Sequence, residues 1–414
     1  MNADHPEYSD DEHSDSEEPL PSDADEVAPN GEPEVASDDE PLELSPESFD
    51  LEDQNLDEDI FAPPKRPKAM PGPGLPEALA WTIGVFVVQM MAGMALMIFI
   101  ILRELATGGP RGLNPAAMQN MVKDNTLLLT GGGLTLFTMA TIVATVLRLG
   151  IRDSGRRLGS QLSIEHGLLI FCAAIPVSLV IGQFHSVVDS VWNLIVEQAP
   201  ALELFDGLKQ TEFIVPLAEQ STLPMLVLII AVYPALSEEL IFRGVIGRGL
   251  LARWGIVPGI MITSFLFALM HLHPALVVAL FPLAILIHLL YLATRSFLAP
   301  VMLHFMNNAF ASLMIKEPNL INVEGFGDES PIPLALLATA VVCVVFVGLR
   351  IKATRVVWQL EDGSTWSPGY CSAERPTDDV NASRQRLVSS PMTLVLALIG
   401  IASFWGYLLV LALN

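Results

Sequence analysis

The chain has 414 residues, is 51% hydrophobic and only 16% charged, which excludes an ordinary soluble globular protein. Its formal charge of −24 belongs to one end, because residues 1–60 hold 24 of the 46 Asp and Glu and no Lys or Arg. The rest has 46 − 24 = 22 acidic residues against 22 basic ones, so the body is neutral.

The first segment, residues 1–62, is rich in Asp, Glu, Ser and Pro and poor in large apolar groups. It cannot bury enough surface to offset the entropy of ordering, and it reads as a disordered acidic tail. Its sign disfavours nucleic acid as a partner. No apolar run occurs within the first 77 residues, so no signal peptide is expected. Cys172 and Cys343 lie in apolar segments and Cys371 in a polar one. Their spacing gives neither a disulfide framework nor a metal motif.

The body follows, over residues 63–350. Apolar runs near 79–102, 126–147, 166–183, 222–241, 257–272, 275–293, 298–315, 332–349 and 391–412 read as membrane helices. The expectation is an all-α, polytopic transmembrane bundle of about eight to nine spans. The fifth and sixth runs are short and meet at His273-Pro274. They predict a tight pair or one broken unit. Residues 184–221 are amphipathic, include Trp192 and Phe205, and predict an interfacial helix. Residues 351–390 predict a polar cytoplasmic loop, and 391–414 an added C-terminal membrane helix.

Charge sets the orientation. An N-terminus on the inside places 17 of the 22 basic residues in inner segments and 5 outside. The positive-inside rule therefore predicts a cytoplasmic N-terminus. The bilayer is the first partner this implies.

The segment 222–315 carries the chemistry. An ionisable side chain in a bilayer costs roughly 2.5–3.5 kcal/mol on insertion scales, so such residues need partners. Glu238 and Glu239 are adjacent and point about 100° apart on a helix. Glu239 and Arg243 are four apart and share a face. This predicts that Arg243 neutralises Glu239 while Glu238 faces elsewhere, able to act on water. Phe267 and His271 are also four apart, with His271 about 21 Å along a helix counted from residue 257. His304 lies about 9 Å into its span, and Asn308 is one turn deeper. His273, His288, His166 and His185 read as structural or interfacial residues. Two histidines and a glutamate on three helices suggest one shared polar site. A divalent metal such as Zn²⁺, held by Glu238, His271 and His304, would activate water there. The same residues could act without a metal, with Glu as base and His and Asn as oxyanion donors. The compact HExxH metal signature is absent.

Taken together, Glu238-Glu239-x-x-x-Arg243, Phe267-x-x-x-His271 and His304-x-x-x-Asn308 resemble the motifs of the CPBP intramembrane endopeptidases. That group, also called the ABI family, includes type II CAAX prenyl proteases and bacteriocin-processing enzymes. The resemblance implies a membrane protease with a polar cavity reached from the cytoplasm. It would cleave a membrane-associated or lipidated peptide or protein substrate. By that likeness Glu238 and His271 activate the water, Glu239 and Arg243 shape the site, and His304 and Asn308 stabilise the oxyanion or complete a metal site. It also makes a bacterial cytoplasmic membrane the expected location. Two other readings stand beside it: a non-catalytic membrane scaffold of the same fold, and a transporter.

Overall fold

The computed structural model describes residues 72–107, 115–209, 211–318, 332–366 and 373–413. The predicted acidic tail and Cys371 lie outside the described residues. Those described fall within one compact unit, Pro67–Asn414.

In chain order the helices are α1 Leu75–Ala106, α2 Pro115–Asp124, α3 Leu127–Leu149, α4 Ser154–Leu158 and α5 Ile164–Gln198. A 3₁₀ segment, Pro200–Leu208, leads to α6 Thr211–Gln220 and α7 Leu223–Trp254. Then come α8 Ile256–Leu269, α9 Pro274–Thr294, α10 Leu298–Lys316 and α11 Leu334–Ala353. Strands β1 Val356–Leu360 and β2 Ala382–Arg386 precede α12 Pro391–Leu413. Local chemistry marks the ends. Pro76 and Pro274 sit in first turns, where a missing N–H costs nothing. Ser163 caps α5 by accepting from the His166 N–H at 3.2 Å. Gly150 and Gly255, with φ of 86° and 80°, let the chain leave α3 and α7.

Eight of these helices are long and apolar enough to cross a membrane, and α8, with 14 residues, is a shorter ninth apolar helix. The chain is an integral membrane protein. Large apolar side chains such as Met90, Phe99, Phe171 and Leu398 are exposed, as suits surfaces solvated by lipid tails. Small residues are also placed inside. Ala279, Ala284, Ala299 and Ala340 are fully buried, allowing the close helix approach on which membrane packing depends.

Helix α5 is a central post that packs against α9, α10 and α11, while α12 lies mainly on α11. A second apolar cluster joins α1, α3, α7 and α8 through Val85, Phe137, Ile241, Phe242 and Phe267. The candidate site lies where α7, α8 and α10 meet.

Three expectations need correction. Residues 184–198 do not start a separate interfacial helix; they continue α5. Polar Gln183, His185 and Asp189 lower hydropathy, but none of them breaks a helix. Trp192 packs against Phe205 and His273, with ring centroids 6.1 and 5.7 Å away. Next, the fifth predicted run ends at Leu269, so His271 falls in the turn after α8 rather than on a helical face. Finally, the 351–390 segment contains an antiparallel β-hairpin, with Trp358 opposite Arg384. Among its described residues ten are in strands, a signal too weak for a polar region to reveal.

Segments rich in basic residues meet at one end of the bundle. Arg148 bonds Glu77 on α1, Arg156 and Arg248 share Glu374, and Arg350 and Arg386 share Glu165. At another contact, Lys316 donates to the Ala218 carbonyl and Gln220 to the Lys123 carbonyl. The positive-inside rule would put the arginine-rich end on the inner side. In a background with Cys172, Cys343 and Cys371 changed to alanine, a cysteine at Lys209 should react with an impermeant maleimide on intact cells. One at Lys352 should react only after lysis. The opposite pattern would reverse the orientation.

Candidate active site

Helix α7 is not uniformly α-helical. Leu228–Val232 and Leu240–Gly247 are π-helical turns, and Glu238 and Glu239 fall between them at the end of an α segment. Such wide turns are uncommon and concentrate at functional sites. Pro234 follows the first of them, where its absent N–H disturbs the ladder least.

The two carboxylates face different surroundings. The Glu239 side chain is wholly buried, as is that of Arg243. Oε1 of Glu239 accepts from Arg243 Nη1 at 3.0 Å and lies 2.8 Å from His304 Nδ1. Arg243 Nη2 donates to the Ala284 carbonyl on α9 at 2.9 Å. Its guanidinium carbon sits 4.6 Å above the Phe267 ring, a cation–π arrangement. One carboxylate therefore links three helices, α7, α9 and α10, behind the cavity wall.

Glu238, by contrast, opens into a cavity of about 710 Å³ that His271, His304, Asn307 and Asn308 also line. Its side chain keeps 22% of its surface exposed. Oε2 of Glu238 is 3.9 Å from His304 Nε2. That gap is too long for a hydrogen bond but suits a water bridging the two atoms. His304 thus turns one nitrogen to each carboxylate.

His271 reaches the cavity from the α8–α9 turn. Its ring lines the cavity and keeps the Phe267 and Ala268 carbonyls of the α8 end as close main-chain neighbours. Its ring lies 5.6 Å from that of Phe267, which is also 5.8 Å from His304. Phe267 is the apolar rest for both imidazoles. The next residue, Leu272, has φ of 60°, and the His273 N–H bonds back to the His271 carbonyl at 2.6 Å. A left-handed leucine costs roughly 1–3 kcal/mol, and such strain persists where neighbouring packing holds it. Here it fixes the turn that aims His271.

Asn308 Nδ2 donates to the Ile230 carbonyl, in the first π turn of α7, at 3.2 Å. Asn307 was not singled out from sequence. Its Nδ2 donates to Asn308 Oδ1, and its own Oδ1 accepts from Ser178 on α5 at 3.0 Å. Gln89 and Thr130 also line the cavity. The polar Asn-Asn pair in an apolar span was the available signal for Asn307; Gln89 and Thr130 carried none.

Of the six predicted residues, Glu238, His271, His304 and Asn308 line one cavity, and Glu239 and Arg243 stand behind it. The other histidines lie elsewhere. His166 meets Thr354 at 3.0 Å, His273 joins Trp192, and His288 packs against Gly247.

A metal fits this arrangement poorly. Among the described residues, no three His, Cys, Asp or Glu side chains are grouped to hold an ion. Two ligands about 2.1 Å from one tetrahedral metal lie about 3.4 Å apart, closer than His304 Nε2 and Glu238 Oε2 stand.

Residues 220–310 match the family model described as Rce1-like, type II CAAX prenyl endopeptidase. The match spans the three motifs, so this core is similar to the type II CAAX prenyl endopeptidases. No curated protein and no solved structure matches the chain.

Removing one member of a buried ion pair strands the other and costs about 3–5 kcal/mol, whereas replacing both by apolar groups is often neutral. Glu239→Gln should therefore lower thermal stability in detergent sharply. The double variant Glu239→Leu with Arg243→Met should recover much of the loss. Equal damage from single and double variants would show that the pair does not anchor the helices.

Proposed function

With a type II CAAX prenyl endopeptidase core as the premise, we propose that the chain is an intramembrane peptidase in which Glu238 activates the attacking water. The observation that carries this is the placement of the two carboxylates. Glu239 is consumed by Arg243 and His304, while Glu238 faces the cavity with an imidazole 3.9 Å away.

Glu238 takes a proton from water as the oxygen attacks the scissile carbonyl carbon, then passes it to the leaving amine. His271, which lines the same cavity, positions that water with Glu238. His304 and the Asn308 amide face the carbonyl oxygen and stabilise the developing oxyanion. Glu239 and Arg243 act through His304 by fixing its ring. Every step in this scheme uses the chain's own side chains. Zn²⁺ remains the alternative, and it requires the donors to move closer.

Substrate class follows from the walls. An apolar groove of about 290 Å³ runs between α1 and α3, past Trp81, Gly84, Ala140 and Ala144. Val85 and Ile241 line both this groove and the site cavity. The adjoining groove suits an apolar anchor whose attached peptide reaches Glu238, hence a membrane-associated or lipidated substrate. A scaffold has no use for two imidazoles and a carboxylate that line one cavity. For a transporter, the described residues offer no pair of broken helices in matching halves.

Glu238→Gln should reduce peptide cleavage by the reconstituted protein by roughly 10²–10⁴-fold, the usual loss for a general base. Its thermal stability should be unchanged, since Glu238 makes no ion pair closer than 3.9 Å. Near-normal cleavage would remove Glu238 from the chemistry. A chelator should leave the wild-type rate intact. Loss with chelator and recovery with Zn²⁺ would establish the metal alternative.

A further inference from the structure

At the arginine-rich end of the bundle, a second pocket of about 230 Å³ lies between the α3–α5 connection, the turn after α9 and the β-hairpin. Among the described residues, five arginines line it, Arg152, Arg156, Arg295, Arg375 and Arg384, and no acidic residue does. Cations crowded together repel one another, so the arrangement needs compensation.

The chain supplies only part of it. Arg156 is neutralised by Glu374 at 2.6 Å and approached by Asp153 at 3.4 Å. Asp378 and Asp379 line the adjoining cavity beside Arg375. Arg384 instead donates to a neutral acceptor, the Gln161 carbonyl, at 2.9 Å. Among the described residues, no carboxylate lies within ion-pair distance of Arg152, Arg375 or Arg384. Trp358, which faces the same pocket, has its indole N–H buried without an acceptor. Three guanidinium groups, Arg152, Arg375 and Arg384, and the Trp358 N–H thus face the pocket with no anionic oxygen beside them among the described residues.

The backbone holds this pocket at some cost. Arg295 is left-handed, with φ of 47°, where glycine or asparagine would be easier. Its Nε reaches the Val356 carbonyl at 3.0 Å and ties the α9 end to the hairpin. Gly159, with φ of 72°, passes so close that a Cβ would stand 2.5 Å from the Arg295 carbonyl. Membrane helices α3, α9 and α11 end beside the pocket, at Leu149, Thr294 and Ala353. That is the level of lipid headgroups, where tryptophan is also favoured.

We propose that this pocket binds the phosphate of an anionic phospholipid headgroup. Arginine forks match phosphate oxygens in pairs, and the volume exceeds what a bare phosphate fills. The phosphodiester would join the α3–α5 connection to the hairpin by salt bridges that the chain alone lacks. The site is separate from the Glu238 cavity and does not rest on the reading of that cavity.

The test uses the full chain in phosphatidylcholine nanodiscs, titrated with short-chain phosphatidylglycerol. Binding is read by native mass spectrometry and by the shift in melting temperature. Wild type should retain one phosphatidylglycerol and melt higher with it. Arg152→Gln, which breaks no ion pair, and Trp358→Phe, which keeps the ring, should each weaken that binding, the former about tenfold, as the loss of one charge-assisted bond allows. Lys352→Gln, exposed on α11 and outside the pocket, should bind like wild type. Equal weakening by Lys352→Gln would mean diffuse surface attraction and would overturn the site. Unchanged binding in both pocket variants would also overturn it. If inorganic phosphate or glycerol phosphate alone raised the melting temperature as far as the lipid, the pocket would take a free phosphate and the headgroup assignment would fall.

Discussion

A single carboxylate oxygen, Oε1 of Glu239, is bonded to Arg243 and stands 2.8 Å from His304. Both acidic and basic partners are out of reach of solvent, where an uncompensated charge costs several kcal/mol. Arg243 then spends its second nitrogen on the Ala284 carbonyl and its face on Phe267. Helices α7, α8, α9 and α10 are thereby fixed to one another. With His304 Nδ1 committed to Glu239, its Nε2 can only face Glu238 and the cavity. The reactive end of the site is set from behind.

Compensation of this kind explains how an apolar bundle tolerates a polar chamber. Lipid cannot solvate Glu238, His271 or Asn308, so their needs are met by one another, by main-chain carbonyls and by the cavity itself. The π turns in α7 flank the segment that carries Glu238 and Glu239, and the Ile230 carbonyl in the first of them accepts from Asn308. At the other polar region, the arginine-rich end, Arg156 is paired with Glu374, whereas Arg152, Arg375 and Arg384 have no carboxylate within ion-pair distance among the described residues.

The motifs were legible because a bilayer makes ionisable residues conspicuous. Glu238, Glu239, Arg243, His271, His304 and Asn308 stood out from apolar surroundings, and helical spacing alone placed Glu239 against Arg243. Membrane spans were legible for the same reason. Asn307, Gln89 and Thr130 were missed because uncharged polar side chains occur singly in many spans and gain meaning only when they face a shared cavity. The extension of α5 to Gln198 was missed because hydropathy falls where the helix does not end.

Composition and pattern alone thus determined the class of the protein, an integral membrane helical bundle, and the residues around which its chemistry is organised. Burial cost follows residue type wherever the chain is apolar, and it needs no coordinates. Only the tertiary structure decided which carboxylate is consumed by the fold and which is left to face the cavity. It also decided that His271 stands on a strained turn rather than a helix, and that five arginines from distant segments line one pocket. Those outcomes depend on distances of 2.8 to 3.9 Å between side chains 65 or more residues apart, and on hairpin pairing, which sequence periodicity does not encode.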